Sequence, residues 1–173
     1  MADQKKASDR SADTGAFSIE ARIAELEDER EIRELLIRYA MRLDARDHAG
    51  YARLFAEDGE WSGGMGQARG PAAIEAMLDK GLGPPPPDFV NTQNFHLMSN
   101  FLVTITGDEA TALSRLTYFV RGPENTPVPM LAGRYEDHLV REHGRWLFQR
   151  RTVIGEIPTM EEVSSSNPAE RSQ

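Results

Sequence analysis

Cysteine is absent from this sequence, which excludes disulfide staples, thiolate nucleophiles and thiolate-bound metals. No apolar run is long enough to cross a bilayer, and the opening MADQKKASDRSADTGAF holds no run of signal-peptide length. The expected address is therefore cytoplasmic. Basic charge is in deficit: 20 Lys and Arg stand against 28 Asp and Glu, a formal charge of −8. Nucleic acid and anionic membranes both require a basic footprint, so neither is an expected partner. GxGxxG and GxxxxGK are missing, and the glycine-rich GGMGQARG (63–70) lacks the strand-turn-helix spacing of a phosphate loop. It reads as a flexible lip. HxH, HExxH and clustered carboxylates are also missing, so no metal site is expected. Ser62, Ser99 and Ser114 have no nucleophile-elbow context.

What is present suits one domain. The 173 residues, 39% of them hydrophobic, are enough for a sizeable core. Residues 1–17 are small, polar and charged and read as a disordered leader; 159–173 read as a disordered tail; 18–158 are the folded unit. The GLGPPPPDF segment predicts a stiff polyproline connector between two halves. The first half is helical. Ser18 is a plausible N-cap, and Ile32, Leu35, Leu36, Tyr39 and Leu43 recur at helical spacing, with Glu31, Glu34, Arg38 and Arg42 opposite. HAGYARLFAED predicts a short second helix, GEWSGG a strand, and GPAAIEAMLDKG a third helix with Pro71 in its first turn. The second half alternates: NFHLMSNFLVTIT, ATALSRLTYFVRG, MLAGRYEDHLVRE and RWLFQRRTVIGEI predict long antiparallel strands. Helices followed by strands make an α+β fold, with the sheet curling around the long helix.

His96 is the first chemical candidate. Strict alternation places Asn94, His96, Met98, Asn100 and Thr104 on one strand face and Phe95, Leu97, Phe101, Val103 and Ile105 on the other. A mixed polar and apolar face suits a pocket lining; the bland alternative is a histidine bonded to a backbone carbonyl. Asp44 falls within the apolar arc of the first helix, where a carboxylate needs a partner or must bend out to water. A carboxylate that reaches an imidazole fixes its tautomer and stabilises the imidazolium. His48, His138 and His143 are weaker candidates. Arg150 and Arg151 follow WLF on the last strand; either one aimed inward is a donor for a developing anion, and a solvated arginine is the alternative. Tyr39, Trp61, Tyr118 and Phe119, with Met98, are pocket-wall candidates or simply core.

The segments LLIRYAMRLDARDHAGYARLFAEDGEW, GPAAIEAML, FHLMSNFLVTITGDEATALSRLTYF and GRYEDHLVREHGRWLFQRRTV resemble the SnoaL-like branch of the NTF2-like superfamily over about Ile32 to Ile157. The resemblance implies an α+β cone: three N-terminal helices packed on a strongly curved, mostly antiparallel sheet. Within the superfamily the chain is most similar to the scytalone dehydratase and hexachlorocyclohexane dehydrochlorinase subgroup. That similarity implies Asp44, His96 and Arg151 as catalytic residues, with Tyr39, Trp61, Met98 and Tyr118 lining the substrate site. Tyr39 stands where the dehydrochlorinase has a lysine, and Leu43 where the dehydratase has a tyrosine. The implied activity is a cofactor-independent lyase or isomerase, dehydrating or deformylating a hydrophobic cyclic or aromatic small molecule. A homo-oligomer, trimeric rather than dimeric, is also implied. The competing reading is a ligand-binding module or a scaffolding β-subunit of a ring-hydroxylating dioxygenase.

Overall fold

The Ser18 hydroxyl accepts a hydrogen bond from the Ala21 amide at 3.2 Å and starts the long helix α1, Ile19–Asp44. The computed structural model describes residues 18–159 and Glu162; the expected leader and all of the expected tail but Thr159 and Glu162 lie outside the described residues. Along α1 the predicted stripe is the buried one: Ile32, Leu35, Leu36 and Tyr39 face the core. Asp47 caps the short α2, His48–Ala52, by accepting from the Gly50 amide at 2.8 Å. β1 (Phe55–Gly63) and β2 (Gly66–Arg69) form a hairpin, so part of the predicted lip is a strand. Gly70, with φ of 79°, turns the chain into α3, Pro71–Leu82, which buries Ile74 and Leu78.

Four long strands follow: β3 (Asn94–Thr106), β4 (Glu109–Arg121), β5 (Pro127–Glu142) and β6 (Arg145–Ile157). The sheet order is β2-β1-β6-β5-β4-β3, antiparallel except where β1 lies parallel to β6. The sheet is not strongly curved, which corrects the cone expected from the sequence. Wrapping a sheet around a helix requires edges that approach closure. Here β2 and β3 remain open edges, and α1 lies across the sheet in contact with β3 and β6.

Two bulges overrule strict alternation. Asn100 has φ of 52°, and the β3–β4 register shifts between Ser99 and Leu102. The extra residue reverses the faces beyond it. His96 and Met98 therefore share the inward face with Phe101, Val103 and Ile105, while Phe95, Leu97 and Leu102 are exposed. In β6 the pairing skips Gln149, which brings Arg151 onto the core face beside Phe148.

Asp28 ties α1 to the β5–β6 hairpin. Its carboxylate accepts two hydrogen bonds from Arg141 at 2.6 Å and one from the Trp146 indole at 3.0 Å. The Arg141 guanidinium holds the Asp28 carboxyl below the ordinary carboxylate value. A lowered folded pKa adds stability that is complete above the unfolded value, about 3.9 for aspartate, and lost as pH falls through the folded value. Asp28→Asn is expected to flatten the acid limb of the stability–pH curve, as measured by urea unfolding across that range. An unchanged limb would assign the acid sensitivity to other carboxylates.

Candidate active site

Asp44 is the last residue of α1, and His96 is the third residue of β3. The helix end and the strand start are joined by Asn91. Its side-chain amide donates to the Asp44 carbonyl at 2.9 Å and to Asn94 Oδ1 at 3.0 Å. Its own oxygen accepts from the Gln93 and Asn94 amides at 3.0 and 3.3 Å, an Asx turn that leads into β3. Sequence reasoning passed over Asn91. The signal available was an asparagine just ahead of a strand, a residue type that bonds the backbone two residues on.

The Asp44 carboxylate engages His96 twice. Oδ1 lies 2.6 Å from His96 Nδ1, and Oδ2 accepts the His96 backbone amide at 3.0 Å. A carboxylate oxygen can only accept here, so Nδ1 carries the proton and Nε2 presents its lone pair. Among the described residues His96 Nε2 has no hydrogen-bond partner, and it is not one of the fully buried polar atoms. The side chains of His96 and Asp44 keep 17% and 20% of their exposure, so the pair is sheltered yet reachable. Tyr118, directly opposite His96 on β4, holds its ring 4.7 Å from the imidazole. Burial, then the negative charge of Asp44, push the Tyr118 phenol above its ordinary value. It is therefore a protonated donor at neutral pH.

The other predicted residues lie elsewhere in the fold. Met98 is half-buried against the core. Tyr39 and Trp61 are core residues, bonded to each other through the Trp61 indole and the Tyr39 hydroxyl at 2.9 Å. Of the two arginines, Arg150 is exposed and Arg151 is fully buried. Arg151 donates to Asp137 through Nε and Nη2 at 2.7 and 2.8 Å, and its guanidinium lies 3.9 to 4.3 Å from the ring centres of Tyr39, Tyr135 and Phe148. Its Nη1 has no hydrogen-bond partner among the described residues. The structure thus brings together His96, Asp44 and Tyr118, and sets Arg151 against a different group of side chains. Burial alone favours a neutral Arg151, but the Asp137 carboxylate outweighs it and holds the guanidinium charged. Asp44 is felt as far as Tyr135, whose phenol is pushed well up, mainly by burial.

Two of the remaining histidines have separate partners. His48 Nδ1 meets Asp79 Oδ1 at 2.6 Å and joins α2 to α3, with Nε2 buried. His138 reaches Glu109 at 3.2 Å. Among the described residues, no group of three or more His, Asp or Glu is placed to hold a metal ion, and no helix is long and apolar enough to cross a membrane.

A family model described as "SnoaL-like domain" matches residues 24–152. No curated protein matches the chain. Solved structures do. An NTF2-like protein with a cystatin-like fold from Novosphingobium aromaticivorans is 30% identical, over 78% of this chain and 85% of that one, with a TM-score of 0.66. A candidate scytalone dehydratase from the same organism is 28% identical, over 78% and 87%, with a TM-score of 0.63. A hexachlorocyclohexane dehydrochlorinase shares the fold at 17% identity, over 78% and 88%, with a TM-score of 0.62.

Proposed function

Since this chain belongs to the SnoaL-like domain family, we propose that His96 is the general base of a cofactor-independent lyase or isomerase. The observation that carries this reading is the doubly held Asp44–His96 pair, which leaves Nε2 free on a sheltered but reachable imidazole. His96 Nε2 takes a proton from carbon or from a phenolic hydroxyl. Asp44 offsets the charge of the resulting imidazolium. The Tyr118 phenol donates to the substrate oxygen on which charge builds. Arg151, with no side-chain exposure and paired to Asp137, acts as a support for the core behind the pair and not as a donor to substrate. The substrate class is a hydrophobic cyclic or aromatic small molecule. Dehydration is the reaction favoured by likeness to the dehydratase, and deformylation would use the same base. General-base catalysis contributes ~10²–10⁴-fold, enough for an activated C–H bond and not for an inert one.

The tautomer can be tested without a substrate. ¹⁵N-edited NMR of the neutral imidazole form is expected to show the His96 proton on Nδ1, and Asp44→Asn is expected to release that preference. A His96 protonated at Nε2 would remove the base from this reading.

We also propose that the chain assembles, as a trimer in preference to a dimer. The bulge at Asn100 exposes a different apolar set from the one strict alternation predicts: Phe95, Leu97 and Leu102, with Leu113 on β4. The Phe95 and Phe119 rings stack on this outer face at 5.0 Å. Such a face is costly to leave wet, and an obligate interface of ~2,000 Å² or more would cover it. Sedimentation equilibrium at micromolar concentration is expected to give three times the 19.3 kDa chain mass. A single-chain mass would overturn the assembly, and twice that mass would overturn only the trimer.

A further inference from the structure

A groove of about 450 Å³ runs between α1, the end of α2 and the β5–β6 turn. Four arginines line it, Arg30 and Arg38 from α1, Arg53 after α2 and Arg145 at the start of β6, against two glutamates, Glu31 and Glu34. Glu34 is already shared, accepting from Arg30 at 2.7 Å and from Arg38 at 2.8 Å. Arg53 and Arg145 are exposed and form no side-chain ion pair among the described residues. The floor is apolar: Leu35, Leu54, Trp146 and Leu147. A local excess of positive charge over an apolar floor stands out on a chain whose formal charge is −8.

We propose that this groove is a second binding site, for a small amphipathic anion with an aromatic or aliphatic body and a carboxylate or sulfonate head. Its volume falls within the range of small-molecule sites, ~300–1,000 Å³. The apolar body lies over Leu54 and the narrow edges that Trp146 and Leu147 leave open to the groove. The head group takes charge-assisted hydrogen bonds from Arg53 and Arg145, the two groove guanidinium groups that form no close ion pair among the described residues. A planar guanidinium matches a carboxylate or sulfonate better than an ammonium does. The site is distinct from the His96 pair. Neither His96, Asp44 nor Tyr118 lines it, and Glu34 precedes Asp44 by ten residues of helix, about 15 Å.

The test is calorimetric titration of the full chain with 2-naphthalenesulfonate and, in parallel, with neutral naphthalene-2-sulfonamide, with Trp146 fluorescence as a second readout. The anion is expected to bind saturably and about tenfold or more tighter than the sulfonamide. Arg53→Gln with Arg145→Gln is expected to weaken the anion by about tenfold or more, and the Arg→Lys pair by less. His96→Ala is expected to leave binding unchanged. The proposal is overturned by the absence of saturable binding at millimolar anion, by equal affinity for the neutral analogue, or by the glutamine pair binding like the parent. Loss of binding in His96→Ala would place the anion at the His96 pair and overturn it equally.

Discussion

His96→Ala is expected to lower turnover of the carbon acid by ~10²–10⁴-fold, with the melting temperature within a few degrees of the parent. The imidazole keeps 17% of its exposure, and its loss leaves the Asp44 Oδ2 bond to the backbone amide of residue 96 in place. What goes is one side-chain hydrogen bond to a carboxylate, and because the pair keeps some solvent contact the low end of the ~1.5–3 kcal/mol range for bonds to charged groups applies. Asp44→Asn is expected to cause a similar loss of rate by a different route. An asparagine side chain that turns its amide toward Nδ1 favours the tautomer that places the proton on Nε2, where the base is needed. The two substitutions should not add, because the residues act as one unit. Steady-state rates of the two single variants and the double variant decide it. Single variants at the parental rate, or a double variant whose loss is the product of the single losses, would contradict the paired role.

The second large effect concerns stability. Asp137→Ala is expected to destabilise the fold by ~3–5 kcal/mol, because it strands a fully buried guanidinium. Arg151 and Asp137 have no side-chain exposure, and two short hydrogen bonds join them across β5 and β6. The rings of Tyr39, Tyr135 and Phe148 around Arg151 supply cation–π attraction, worth about 2 kcal/mol at a desolvated site, which falls short of replacing the carboxylate. Replacing both members, Arg151→Met with Asp137→Leu, should cost much less than Asp137→Ala, since no charge is then left buried. Urea unfolding of the three proteins checks the order. A loss below about 1 kcal/mol in Asp137→Ala would mean that the aromatic cage alone accommodates the charge.

Much of the fold follows from local pattern. The Ser18 cap, the stripe from Ile32 to Tyr39, Pro71 at the start of α3 and the bounds of β3 and β6 all lie where periodicity and turn chemistry place them. What local pattern does not carry is set by pairing over long sequence distances. The parallel contact of β1 with β6 joins residues about ninety positions apart, and the shape of the sheet depends on how all six strands register. The bulges at Asn100 and Gln149 are the sharpest case. Each adds one residue, each reverses a face, and neither residue type demands it. Arg151 thereby became a core residue, and the apolar set that strict alternation split between two sheet faces was redistributed. His96 and Asp44 were legible because each was out of place alone: an imidazole in an apolar strand and a carboxylate in an apolar arc. Their partnership followed from the family resemblance; the two contacts that join them, and the part Asn91 plays in holding them, needed the fold.

Proton transfer itself is the most direct test. Incorporation of solvent deuterium into 2-tetralone, a cyclic ketone with an activated C–H bond, can be followed by NMR in D₂O with the parent protein, His96→Ala and Asp44→Asn. Exchange is expected above the buffer rate with the parent and at the buffer rate with both variants. Exchange that proceeds equally in the parent and in His96→Ala would contradict the assignment of His96 as the base.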